Sequence, residues 1–477
     1  MADIRPFLLA GKPATGEDSV DVTSPYDGSV VGRVSVPTPA QVDEAVAAAA
    51  AVAAEAAALP AHVRAGALAH VSGRLAERAD EVARLITAEN GKPLKWATAE
   101  ANRAVSTFRW AAEEARRDSG VLQRLDTDPT GTGRMAVVRR FPRGPVLGIS
   151  PFNFPLNLVA HKLAPALAAG APIVVKPAPA TPLSALLLGE LVAETDLPAG
   201  MLSVLPVPND RAGGLVEDPR LPVVSFTGSG PVGWAIKERV PHKQVVLELG
   251  GNAAVVVAAD YPDLDWAASR IATFSNYQAG QSCIAVQRVY VERPAYEPLV
   301  ERLIEAVRGL GTGDPSDPGT DVGPLISEDA ARRVESWVGE AVRGGARVLI
   351  GGSRDGTAYA PTVLADVPAG AKVIDEEVFG PVLVVEPVDS LDEAFGAVND
   401  SRYGLQAGVF TRDLATAFRA QRELAVGGVI VGDVPSYRAD QMPYGGTKES
   451  GTGREGLRAA MDDLTEPRVL VLTGLPL

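Results

Sequence analysis

Between Pro145 and Leu247 the chain repeats one unit, a short apolar run followed by a stretch of helical periodicity. The runs are Val146 to Ile149, Pro172 to Val175, Leu202 to Leu205, Pro222 to Phe226 and Val245 to Leu247. Between them lie Leu156 to Ala168, Pro182 to Glu194 and Val232 to Val240. Parallel strands need long crossovers, which helices supply, so this alternation predicts an α/β fold with a mostly parallel, doubly wound sheet. A second stretch of α/β alternation runs from Ala253 to about Gly432, which predicts two α/β domains with the active site in the crevice between them.

The flanking segments read differently. Thr38-Pro39 supplies an N-cap and a proline at the first helical position. Helical patterning then dominates to about Arg117, broken at Leu59-Pro60 and at Asn90-Gly91-Lys92-Pro93. The turn cluster from Asp126 to Arg134 leads into Met135 to Val138, which predicts a hairpin. The last apolar stretch, Glu466 to Thr473, predicts a strand that pairs either within the chain or across a subunit interface.

Composition narrows the function classes. With 477 residues, 46% of them hydrophobic, the chain buries real cores and is not disordered. A net charge of −14 argues against an electrostatically driven nucleic-acid binder. A single cysteine excludes an intrachain disulfide and fits a reducing compartment. The four histidines lack metal-ligand spacing, so no metal site is expected. Met1 to Thr23 carries no secretory pattern, and the alanine-rich stretch from Ala45 to Pro60 is too short and weakly hydrophobic to span a bilayer. A cytoplasmic protein without membrane or nucleic-acid partners is expected.

Gly228-Ser-Gly230-Pro-Val-Gly233 follows a strand and opens a helix, and Glu248 lies twenty positions after Gly228, as in a dinucleotide fingerprint. A second set competes for Glu248: Asn153 in Pro151-Phe-Asn-Phe-Pro155 and the sole cysteine in Gly280-Gln-Ser-Cys283. Aldehyde oxidation needs a nucleophile to form a tetrahedral adduct, an oxyanion donor, and a base to hydrolyse the resulting thioester. Cysteine, asparagine and glutamate suit those three tasks. Taken singly each has a plain reading, as an inert buried thiol, a turn residue and a strand-end charge.

Together the motifs make the chain resemble an NAD(P)-dependent aldehyde dehydrogenase over nearly its full length. They run in order from Pro151-Phe-Asn-Phe-Pro155, Val174-Val-Lys-Pro177 and Phe226-Thr-Gly-Ser229 to Leu247-Glu-Leu-Gly-Gly251 and Gly280-Gln-Ser-Cys283. Glu377-Val-Phe-Gly-Pro381, Met442-Pro-Tyr-Gly-Gly446 and Ser450-Gly-Thr-Gly-Arg-Glu455 complete the series. The resemblance implies Cys283 as nucleophile, Glu248 as the base and Asn153 as the oxyanion donor. Lys176 would contact the adenosine ribose, Gly228 and Ser229 would lie near the pyrophosphate, and Glu377 would hold the nicotinamide ribose with Phe379 beside it. Ser150, Pro151, Phe152, Pro179, Arg211, Leu249 and Gly250 complete the expected cofactor set, with NAD or NADP as cofactor. The region near Glu455 corresponds to a proton path proposed in relatives.

The implied domains are a cofactor-binding unit (1–123 and 143–250), a cysteine-bearing catalytic unit (251–443) and a return segment (444–464). An oligomerisation hairpin and strand (124–142 and 465–477) would make a homodimer or homotetramer. Many NAD-preferring relatives carry a glutamate three positions after the Val-Val-Lys lysine, where this chain has Pro179; the change permits NADP, with Lys176 or Arg211 to pair a 2′-phosphate. The expected substrate tunnel offers Arg103, His161 and Arg438 beside Phe154 and Ser282, where enzymes for fatty or aromatic aldehydes tend to be apolar. This predicts a small aldehyde with an anionic or hydroxylated tail, such as a lactaldehyde-like compound, a semialdehyde, or a phosphorylated or sulfonated aldehyde. Within the family, Glu248 argues against acylating members that pass the acyl group to coenzyme A. A catalytically silent structural member is the remaining alternative.

Overall fold

A computed structural model describes residues 4–117 and 119–476. Positions 1–3, 118 and 477, which belong to the expected cofactor and oligomerisation segments, lie outside the described residues.

The alternating region builds the centre of an eight-stranded sheet. Five parallel strands lie in the order Gln244–Glu248, Val223–Thr227, Val146–Ile149, Ile173–Lys176 and Leu202–Val204. Antiparallel strands close both edges, Gly451–Thr452 beside Gln244–Glu248 and the Phe7–Leu9/Lys12–Ala14 hairpin beside Leu202–Val204. The chain winds outward from Val146–Ile149 to Leu202–Val204, then returns to lay Val223–Thr227 on the other side of its starting strand. The strand order therefore reverses between Val146–Ile149 and Val223–Thr227. In open α/β sheets a crevice opens at the carboxyl ends of such a pair.

A second sheet has seven strands in the order Arg347–Ile350, Thr362–Ala365, Val382–Val388, Arg288–Glu292, Ala254–Val257, Gln406–Phe410 and Gly428–Val431. Only Arg347–Ile350 runs antiparallel to its neighbour. The final strand, Thr465–Thr473, pairs within the chain along the whole of Arg134–Pro142, which also pairs with Val121–Arg124.

The helices follow their local signals, with two additions. Thr38 and Gln41 cap Pro39–Ala58 reciprocally, and chain breaks separate it from Ala61–Glu77 and end Ala79–Asn90 before Leu94–Arg117. A further break at Arg78 carries neither glycine nor proline and was not expected from the sequence. Five short strands within 4–36, on which the sequence reading is silent, include the hairpin that extends the first sheet. Gly91 ends its helix in the left-handed region (φ +75°), with Pro25 and Pro324 2.7 Å from where a Cβ would stand. Only glycine fits that turn, and the turn aims Asn90 and Lys92 at the site described below.

No single helix among the described residues is long and apolar enough to cross a membrane. No group of three or more His, Cys, Asp or Glu among them is placed to hold a metal ion.

Candidate active site

A cavity of about 260 Å³ opens where the strand ends of the first sheet meet loops of the second. Cys283, Glu248, Phe154, Ser282, Arg103 and Arg438 line it, together with Tyr444. Trp96, Phe274, Leu158 and Tyr277 form an apolar wall, so the polar groups converge in a largely dry setting.

The loop after Val146–Ile149 is held from below. Asn90 Nδ2 donates to the Phe152 carbonyl oxygen at 2.7 Å. Glu100 Oε1 accepts from the backbone N–H groups of Leu156 and Asn157, both at 3.0 Å, and Oε2 pairs with the Lys92 ammonium. That ammonium also lies 4.0 Å from the centroid of the Phe154 ring. Lys92 and Glu100 are both fully buried. Asn153 is 4% exposed and donates one amide N–H to the Gln281 carbonyl oxygen at 3.0 Å, two residues before Cys283. Its second amide hydrogen is left to donate elsewhere.

The turn that carries the cysteine is conformationally costly. Gln278, Ala279 and Gly280 take positive φ in succession (42°, 57° and 69°), and a Cβ on Gly280 would meet the Gly380 carbonyl oxygen at 2.1 Å. Runs of left-handed residues persist only where surroundings over-determine them; here Gln278 Nε2 and Asn153 both hold the Gln281 carbonyl. Cys283 Sγ lies 2.9 Å from the Tyr444 hydroxyl oxygen. Burial pushes its thiol up to about 12, which leaves it neutral near pH 7 in this state. Ser282 Oγ accepts from the Tyr277 hydroxyl at 2.5 Å.

Glu248 ends its strand facing the same cavity, with both carboxylate oxygens buried and unpartnered among the described residues. Burial first, then the Glu455 charge, raise it well above the usual carboxylate range, against Arg438, Lys162 and Arg454. Lys162 sits 3.9 Å from Glu455 and donates to Thr227 Oγ1 at 2.6 Å. Glu455 in turn lies 2.8 Å from Arg438 Nη2.

The three basic residues expected at the tunnel take different places. Arg103 and Arg438 line the cavity, and His161 does not. His161 is 2% exposed and stands behind Arg438, accepting from Arg438 Nη2 on Nδ1 and facing Asp440 Oδ1 through Nε2, each at 3.3 Å. Burial, then the Arg438 charge, push its imidazole down to about 4, so it is neutral. The expectation that His161 touches substrate is thereby corrected: it lies one helical turn beyond Leu158, where the helix Asn157–Ala169 is wholly buried. Arg103 Nη2 donates to Asp440 Oδ1 at 3.0 Å. Among the described residues, the Nε–H groups of Arg103 and Arg438 are buried without an acceptor. A third cavity arginine, Arg270, is bound bidentately by Asp433 at 2.7 and 2.9 Å.

Residues expected at the cofactor collect along the strand ends of the first sheet. Ser150 is buried with its hydroxyl oxygen unpartnered, and Pro151 and Phe152 follow it. Phe152 packs edge-on against Phe379 at 5.9 Å between centroids. Lys176 ends the next strand with Nζ 2.7 Å from Asn209 Oδ1, and burial lowers it to about 8. Pro179 and Arg211 are exposed nearby in sequence, Arg211 two residues after Asn209. Gly228 and Ser229 lead into the helix Gly230–Arg239, whose N-cap serine makes no side-chain cap, which leaves the Gly230 and Val232 N–H groups without a partner from that side chain. Leu249 and Gly250 follow Glu248. Glu377 Oε1 accepts from Gly251 N–H at 3.0 Å, and a Cβ on Gly250 would lie 2.4 Å from Glu377 Oε2. An orphaned buried hydroxyl, a buried lysine, an uncapped helix start and a carboxylate against glycine together fit an extended dinucleotide.

Sequence reasoning assigned no role to Tyr444, Asp440, Lys92 or Glu100. Tyr444 was visible inside a quoted motif, and Asp440 stands two residues from Arg438. Nothing local marked the Lys92–Glu100 pair, since Lys92 lies in the break between two helices and Glu100 inside the second.

Comparison with known proteins agrees with this geometry. The chain is 42% identical over 467 residues to the 3-sulfolactaldehyde dehydrogenase of Priestia aryabhattai, covering 98% of this chain and 97% of that one. Aldehyde dehydrogenase 21 from Physcomitrella patens, solved in complex with the reaction product succinate, superposes with a TM-score of 0.98 at 45% identity, covering 100% of this chain and 99% of that one. The NADP-dependent glyceraldehyde-3-phosphate dehydrogenase from Bacillus halodurans C-125, complexed with NADP, superposes with a TM-score of 0.95 at 34% identity and 99% coverage of both chains. The aldehyde dehydrogenase family itself matches residues 12–470. With Cys283, Glu248 and three arginines lining one cavity, the chain belongs to the aldehyde dehydrogenase family, whose members oxidise aldehydes with NAD or NADP.

Proposed function

We propose that this enzyme oxidises a small aldehyde with an anionic or hydroxylated tail to the free carboxylic acid. The observation that carries the reading is the cavity beside Cys283, where Arg103 and Arg438 have more donors than the surrounding protein supplies acceptors. Arg270 is spent on Asp433, so the surplus belongs to two defined side chains. Guanidinium donors suit carboxylate, phosphate and sulfonate alike. The sulfolactaldehyde, succinate and glyceraldehyde-3-phosphate named for the three relatives support that tail chemistry.

In this reading the Cys283 thiolate attacks the aldehyde carbon and the carbonyl electron pair moves onto oxygen. The second amide N–H of Asn153 donates to that oxyanion. The dinucleotide, when bound, would provide the hydride acceptor; Lys176, Ser150, Ser229 and Glu377 would hold it, with Gly250 leaving room for the Glu377 carboxylate. Water then opens the thioester on Cys283, its proton passing to Glu248, and the acid leaves as the Cys283 thiolate is released. Glu248 can accept that proton only after losing its own, and Glu455 with Lys162 lies behind it as a route outward.

The same reading divides the chain into the cofactor, catalytic, return and oligomerisation segments given above. One hydrophobic cluster gathers residues from Phe7 to Leu249 with Leu457, Met461 and Leu464, while separate clusters gather residues from Ala254 to Val434. A homodimer or homotetramer belongs to it as well, since Val469 to Leu472, Val121 and Leu122 expose apolar side chains on a sheet of only three strands.

The test is steady-state kinetics with matched neutral, hydroxylated, carboxylated, sulfonated and phosphorylated aldehydes, with NAD and with NADP, on wild type and Arg103→Met. Losing a charge-assisted hydrogen bond should raise KM for the anionic members by about 10- to 100-fold and leave neutral ones nearly unchanged. An unaltered preference would sink the tail assignment.

A further inference from the structure

We propose that Tyr444 is a catalytic residue whose hydroxyl donates a hydrogen bond to the Cys283 sulfur and holds the thiolate in place for attack. The proposal rests on Cys283 being the nucleophile. The contact is 2.9 Å between Tyr444 Oη and Cys283 Sγ, and no other hydrogen-bond partner of either atom is present among the described residues. Tyr444 is 4% exposed, and a buried phenol needs a partner for its O–H. Packing does not require that hydroxyl: the ring sits in a small apolar cluster with Ile284 and Leu405, which a phenyl group would fill equally well.

Two further features prepare the phenol for the task. Its backbone is clamped on both sides by Glu455, with Tyr444 N–H donating to Glu455 O at 2.9 Å and Glu455 N–H to Tyr444 O at 2.7 Å. The hydroxyl is therefore fixed before substrate arrives, the condition for a hydrogen bond to act without reorganisation. The Arg438 guanidinium lies 4.0 Å from the ring centroid, and a cation on the face of a phenol draws density from its oxygen and strengthens the O–H as a donor. Arg438 thus has a place on the nucleophile's side as well as at the tail.

Proton bookkeeping fixes which atom donates. When Cys283 ionises, its proton goes to solvent and the sulfur carries the charge. Burial and the neighbouring sulfur hold Tyr444 well above its ordinary value, so the phenol keeps its proton and acts as donor rather than base. Burial otherwise works against the thiolate, and this hydrogen bond is the largest effect in its favour.

The experiment compares wild type, Tyr444→Phe and Cys283→Ala. It measures the pH dependence of iodoacetamide alkylation at Cys283 and the single-turnover acylation rate of the cofactor-loaded enzyme. In Tyr444→Phe the apparent thiol pKa should rise by about one unit, so alkylation near pH 7.5 falls about tenfold. Acylation should fall with it, with cofactor affinity unchanged. An inactive Cys283→Ala together with an unchanged alkylation profile in Tyr444→Phe overturns the proposal alone. A Cys283→Ala variant that still turns over overturns the nucleophile assignment and this proposal with it. Should Tyr444→Phe fail to fold, 3-fluorotyrosine placed at position 444 should lower the thiol pKa through its stronger O–H donor, and no shift there is equally fatal.

Discussion

Glu100→Gln offers a direct measure of what holds the Asn153 loop in place. Glu100 is fully buried and serves three donors: the backbone N–H groups of Leu156 and Asn157 and the Lys92 ammonium. Glutamine keeps an acceptor oxygen for the two backbone groups but leaves an unpaired ammonium with no solvent exposure. Breaking one partner of a buried ion pair costs about 3–5 kcal/mol. Glu100→Ala also strands two N–H groups, each adding about 1–3 kcal/mol. Lys92→Met with Glu100→Gln removes the unpaired charge and should recover most of the loss.

Burial already lowers the Lys92 ammonium below its ordinary value, with Glu100 opposing that shift. In Glu100→Gln the opposition is gone, so folded Lys92 gives up its proton at lower pH than in the unfolded chain. The folded state then binds fewer protons, and the stability of the variant should climb as pH rises toward the ordinary lysine value. Urea unfolding followed by tryptophan fluorescence at pH 6.5 and 9.5 reads both effects. A Glu100→Gln loss below about 1 kcal/mol, or a loss that does not shrink at the higher pH, would refute the reasoning.

Glu248→Gln should bind cofactor normally and release a burst of about one turnover per site, with steady turnover reduced about 10²–10⁴-fold. Because burial and Glu455 raise Glu248 above the usual carboxylate range, wild-type deacylation should rise with pH along a limb absent from the variant; a flat wild-type profile from pH 5 to 8 would contradict the base assignment. Leu470→Glu, on the exposed three-stranded sheet, should shift the enzyme to a smaller species in sedimentation velocity, and a wild type that already sediments as a monomer would remove the basis for the oligomer.

The sequence by itself determined the elements whose signals are local. Short apolar runs and 3.6-residue periodicity placed the five parallel strands and their helices within one or two residues, and Thr38-Pro39 set a helix start. Ordered motifs carried the family, since each keeps a short backbone segment against a shared cofactor and nucleophile. Tertiary structure decided the pairings. The partner of Thr465–Thr473 lies more than 300 residues earlier, and an edge strand accepts any ladder its backbone can reach. His161, Arg103 and Arg438 looked alike as basic residues at a tunnel. Asp440, 337 residues from Arg103, and Glu455 sorted them into a buried neutral support and two cavity donors. Tyr444 in its motif signalled only an aromatic ring; a hydroxyl 2.9 Å from sulfur required Glu455 to clamp its backbone. Periodicity encodes which face of an element is buried, whereas charge and hydrogen-bond partners depend on distances that only the folded chain sets.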